Sequence, residues 1–179
     1  VSEDEPIDQE LLEIFLAEAT EVLDAISEAV AHSRRTPSDQ QYLTTIRRGF
    51  HTLKGSSRMV GLNAFGEGAW ALEQTMNLWL ADNQSASPDL FQLIEAASSR
   101  MRVWVAGLES GRPVAIEPAG LIASAESFGR DGRFIEPVDV SVAEALAVPV
   151  EAPIAPPAAL VEPAPAVAVA PGAVAPDAD

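Results

Sequence analysis

Residues 38–61 read Ser38-Asp39-Gln40-Gln41-Tyr42-Leu43-Thr44-Thr45-Ile46-Arg47-Arg48-Gly49-Phe50-His51-Thr52-Leu53-Lys54-Gly55-Ser56-Ser57-Arg58-Met59-Val60-Gly61. Tyr42, Ile46, Gly49, Phe50, Leu53, Ser57 and Val60 recur at steps of three and four, which places them on one side of an α-helix. Ser38 followed by Gln41 predicts a capping box at its start. Gly61 can end it, because glycine accepts the left-handed conformation that closes helices. Arg47, Arg48, His51, Lys54, Gly55 and Arg58 fall on the other side. At 100° per residue, all of them lie within about 60° of His51.

The same periodicity continues outward. Asp8 can cap a first helix starting at Gln9, with Leu12, Phe15, Ala19, Val22, Ile26 and Val30 as its apolar stripe and Arg34 and Arg35 near its end. After the helix of residues 38–61, Asn63 can cap a third helix striped by Phe65, Ala69, Leu72, Met76, Trp79 and Leu80. Ser87 and Pro88 start a fourth, carried by Leu90, Leu93, Ile94, Ala97, Met101, Trp104, Val105 and Leu108. Gly111 closes it and Pro113 forbids continuation. Nothing in residues 1–110 alternates at period two, so no sheet is expected. The reading is all-α: an antiparallel up-down-up-down four-helix bundle over residues 8–110. Residues 111–148 form a C-terminal extension. It can add a short fifth helix at 118–128, with Leu121, Ile122, Ala125 and Phe128 as its sticky face, and a turn of helix at Val142–Ala147.

Residues 1–7 are expected to be a disordered lead-in, and 149–179 a disordered linker. That final stretch holds 8 Pro, 11 Ala and 5 Val in 31 positions. Such proline spacing favours extended polyproline II over a packed core.

Composition narrows function. The chain has no cysteine, which excludes disulfides and thiolate metal sites, and only His32 and His51, which excludes a multi-histidine centre. No window of 18 residues is apolar and uncharged, so no membrane span is expected. The start reads as acidic rather than as a signal peptide, and a cytoplasmic setting fits. A net charge of −16 argues against nucleic acid. The charge is uneven: residues 1–33 hold ten acids and no Lys or Arg, while residues 38–60 hold four cations against Asp39, a local +3.

That basic island surrounds His51. An imidazole has a nucleophilic form at neutral pH. If it attacks a phosphoryl group, negative charge develops beside it, where Lys54 at i+3 and Arg47 at i−4 can reach. Gly55 at i+4 leaves room for a bulky partner, although a helix-interior glycine costs about 1 kcal/mol against alanine. Taken singly, an exposed histidine, a basic stripe and a helix glycine are each ordinary surface or packing features. Their combination is not. Glu73 lies at the margin of the third stripe, where periodicity alone reads it as a surface glutamate. Placed opposite the second helix, it could bond one imidazole nitrogen and free the other. His32, beside Arg34 at a helix end, is given no function.

The stretch His51-x-x-Lys54-Gly55-Ser56-Ser57 resembles the histidine phosphotransfer domain, most closely that of CheA-type chemotaxis kinases. Leu11–Ala19 resembles that family's first helix and Ala69–Asn77 its third. The Ala/Pro tail adds a likeness to large CheA-like hybrid kinases associated with type IV pili. The resemblance implies that His51 is phosphorylated at Nε2, that Lys54 contacts the phosphoryl oxygens, that Gly55 is the partner's gap and that Glu73 orients the histidine. Arg47, Arg48 and Arg58 would join Gly55 on the partner-binding face. Trp70 departs from the polar or histidine residue common at its position.

The implied partners are a histidine kinase catalytic domain bearing ATP and a response-regulator receiver domain holding Mg²⁺; this domain binds no cofactor of its own. It is a carrier without an ATP site, although the parent polypeptide is expected to be a kinase. Two competing readings remain at this stage: a docking module without phosphoryl transfer, and a structural spacer bundle.

Overall fold

A computed structural model describes residues 8–138. The expected lead-in at 1–7, the turn of helix at Val142–Ala147 and the linker at 149–179 lie outside them. The described residues form five helices and no strand: α1 Gln9–Arg35, α2 Gln40–Met59, α3 Asn63–Ala81, α4 Pro88–Glu109 and α5 Ala119–Asp131.

The caps show what starts and stops each helix. Asp8 accepts from the Glu10 amide at α1, and Ser87 from the Leu90 amide at α4, as their positions predict. Two assignments need correction. At α2 the cap is Asp39, whose carboxylate takes the Gln41 amide, while Ser38 Oγ instead meets Ser85 Oγ across the loops at 3.2 Å. At α3 the cap position is Leu62, without a side-chain cap bond, and Asn63 is already helical. The tight turn explains this second shift. Gly61 takes φ +82°, and the Leu62 amide bonds back to the Ser57 carbonyl at 2.8 Å, so Leu62 is folded under α2 and buried. Gly111 closes α4 in the same left-handed way, at φ +65°.

The apolar stripes meet in one core. Phe65 of α3 sits between Phe15 of α1 and Trp104 of α4, with ring centroids 5.4 and 5.5 Å away. Close approach of α1 and α2 depends on Gly49: a Cβ there would stand 2.6 Å from Ile26 Cγ1. Leu16, Leu23, Ala29 and Leu43 join the core beyond the expected stripes.

Helix α5 is longer than expected and belongs to that core. Leu121, Ala125 and Phe128 are buried, Leu121 packs over Gly68 of α3, and Phe128 lies against Trp79 with centroids 5.3 Å apart. It lines the seam between α3 and α4. Ile122, the fourth residue of its expected sticky face, is only half-buried.

Candidate functional site

His51 stands on the middle of α2, opposite Phe50 and Leu53, which are fully buried. Its side chain is 61% exposed, so packing does not explain it. Glu73 reaches it from the middle of α3. That carboxylate is only 5% exposed, so it is a buried group rather than the surface glutamate that periodicity alone suggests. Its Oε1 lies 2.7 Å from His51 Nδ1 and its Oε2 lies 2.6 Å from Lys54 Nζ. One turn of α2 therefore places His51 and Lys54 on the same carboxylate.

The geometry fixes the imidazole. An ionised carboxylate only accepts hydrogen bonds, so Nδ1 carries the proton and donates it to Glu73. Nε2 is then the ring nitrogen with the free lone pair. The charge on Glu73 is secured locally. Burial opposes it, but hydrogen bonds from Lys54 and then His51, together with the charge of Lys54, outweigh burial and hold the carboxyl below its ordinary value of 4.5.

Gly55 is exposed, and a Cβ there would meet nothing within 4 Å, so it is not a packing glycine. It lines a groove of about 490 Å³ between α1 and α2 that runs past His51. Leu11, Ile14 and Met59 edge this groove and are 48%, 60% and 84% exposed. Sequence reading missed this apolar patch, since it assigned only Gly55 and the arginines Arg47, Arg48 and Arg58 to partners. The signal was there: Ile14 and Met59 lie off the core stripes of their helices.

The remaining expected residues separate. Arg48 is exposed and Arg47 half-buried on the stripe beside His51. Arg58 turns to α3 instead, where its guanidinium pairs with Glu67 at 3.5 Å. Trp70 lines a different groove, between α3 and α5, and takes no part in the His51 network. His32 stacks on Tyr42 at 5.1 Å, a packing role. Among the described residues, no group of three or more His, Asp or Glu is placed to hold a metal, and no helix is long and apolar enough to cross a membrane.

Comparison with known proteins bears on this arrangement. The profile of the Hpt domain family matches residues 10–104. Chemotaxis protein CheA of Listeria monocytogenes serovar 1/2a is 23% identical over 117 residues, which cover 65% of this chain and 19% of that protein. Sensor histidine kinase CheAY of Helicobacter pylori is 29% identical over 86 residues, 48% of this chain and 11% of that protein. The chain thus spans a fifth or less of these curated relatives. No solved structure matches it. An imidazole with one nitrogen tied and the other free, on a bundle that the profile follows from α1 into α4, leads to one conclusion: the chain belongs to the family of histidine phosphotransfer (Hpt) domains.

Proposed function

We propose that the chain is a phosphorelay module in which His51 receives a phosphoryl group from an ATP-bearing histidine kinase domain and hands it to an aspartate of a receiver domain. In the first step the Nε2 lone pair attacks the γ-phosphorus of ATP. The P–Nε2 bond forms, the bond to the bridging oxygen breaks, and ADP leaves with that electron pair. Nδ1 keeps its proton, and Glu73 balances the charge that the ring gains. In the second step a carboxylate oxygen of the receiver attacks phosphorus, the P–Nε2 bond breaks, and its electron pair returns to the ring. ATP and Mg²⁺ belong to the partner domains. Lys54 has three donor protons, so it can keep Glu73 while offering another to the phosphoryl oxygens.

One observation carries the reading. Nδ1 is bonded to a buried carboxylate at 2.7 Å while the ring is exposed beside an open glycine. A docking-only module has no use for that arrangement. Arg47, Arg48 and Arg58 supply positive charge where an acidic receiver pocket would approach, with Arg58 partly committed to Glu67. The likeness to CheA-type proteins supports a place within a larger chemotaxis-type kinase. The Ala/Pro-rich tail supports the kind associated with type IV pili, and the lack of cysteine supports a cytoplasmic setting.

The test is incubation with a CheA-type kinase and γ-labelled ATP. The parent chain should take an acid-labile label and the His51→Gln variant none. Full labelling of that variant, or an acid-stable label, would sink the assignment.

A further inference from the structure

The groove beside His51 is apolar at Leu11, Ile14 and Met59, yet it contains one charged wall residue, Glu18 of α1. Glu18 is half-buried, and among the described residues no Lys, Arg or His pairs with it. Its own helix offers no neutralising group nearby, because residues 1–33 contain ten acids and no Lys or Arg. The cations of the region sit on α2, and of these Lys54 is held by Glu73 and Arg58 by Glu67. His51 therefore lies on a boundary, with a basic stripe on one side and an apolar groove with a single free carboxylate on the other.

Any surface laid over this groove must either bring a cation to Glu18 or strip water from a carboxylate that has no partner. A site of this kind rejects wrong partners as well as accepting the right one. The two partners of His51 differ in how close they must come. A kinase offers phosphorus at the end of a triphosphate arm that can extend from its own pocket. A receiver offers a short aspartate side chain, so its surface must close onto His51 and cover what adjoins it. In-line transfer with reacting atoms about 3–3.5 Å apart leaves no slack.

Resting on the phosphorelay reading above, we propose that Glu18 selects the receiver: the groove takes an apolar receiver surface carrying one lysine or arginine placed to meet the Glu18 carboxylate. Gly55 and Met59 would border that contact from the α2 side.

The 179-residue chain and its Glu18→Gln and Glu18→Lys variants are loaded to completion with phosphoramidate, a donor small enough to need no docking surface. Circular dichroism checks the fold of each. Discharge is then timed against purified receiver domains encoded in the same genome. For the receiver that discharges the parent fastest, Glu18→Gln should slow transfer by about tenfold and Glu18→Lys by more, with the gap narrowing at high salt. Changing the receiver's matching lysine or arginine to glutamate should restore transfer from Glu18→Lys. Discharge of Glu18→Lys within twofold of the parent overturns the proposal, as does equal slowing against every receiver tested. A parent chain that takes no label on His51 overturns the phosphorelay reading and this one with it.

Discussion

Glu73 is the residue on which the site turns, because its two carboxylate oxygens hold His51 and Lys54. Replacing it by alanine should slow phosphorylation of His51 by about 10–100-fold, by analogy with the loss when the carboxylate behind a metal-bound histidine is removed. Phosphoramidate loading rates measure this directly. The same carboxylate should mark the stability profile. Its folded pKa is depressed, so its contribution is fully present above the ordinary carboxylate range and is lost as pH falls through the folded value. Thermal melts of the parent and Glu73→Gln should therefore diverge at neutrality and draw together as the pH is lowered progressively below the ordinary carboxylate value of 4.5. A constant gap between them would contradict the ion pair. Lys54→Ala removes one of the two partners of that buried charge. It should cost about 1–3 kcal/mol of stability as well as slow transfer. His51 and Lys54 were legible in sequence because they stand at a recognisable spacing on the side of α2 away from its apolar stripe, although Lys54 is itself largely covered by its contact with Glu73. Burial of Glu73 was not, because it depends on how α3 rolls against α2, which a one-helix projection does not contain.

Helix α2 carries two interior glycines with opposite duties, six residues apart. Gly49→Ala drives a methyl group into Ile26, itself buried, and should destabilise the bundle by about 1–3 kcal/mol. Gly55→Gln meets open space, so helix propensity alone predicts a variant as stable as the parent or up to about 1 kcal/mol more so. Its side chain nevertheless stands beside the imidazole, and transfer should fall at least tenfold, or about 1.4 kcal/mol in barrier. Urea melts paired with transfer rates separate the two effects. Destabilisation at Gly55, or unimpaired transfer, would contradict the open face. The helix stripes were readable because spacing alone decides which side is buried, and Phe15, Phe50 and Leu72 all fall where it puts them. The caps were less so. Ser38 and Asn63 have the right chemistry, but a capping side chain must also reach the first free amides, and the folded loops gave that position to Asp39 and Leu62.

On the scale of the molecule, α5 decides whether residues 8–110 suffice. Its Phe128 closes the core against Trp79, and Phe128→Ala should cost about 3–5 kcal/mol by thermal or denaturant unfolding. A chain ending at residue 117 should melt lower still. The role of α5 was hard to read because its four apolar positions are spread over a short helix, and the gap it fills between α3 and α4 exists only in three dimensions. The proposed reaction bears on a single atom, since α2 and α3 together tie Nδ1 of His51 to Glu73 and leave Nε2 without that tie. The most direct measurement is therefore the nitrogen that carries phosphorus, read by ³¹P–¹H correlation NMR on the phosphoramidate-loaded chain, folded and in urea. The folded chain should give Nε2-phosphohistidine alone, and the unfolded chain should lose that selectivity. Phosphorus on Nδ1 of the folded chain, or on a residue other than His51, would contradict the account.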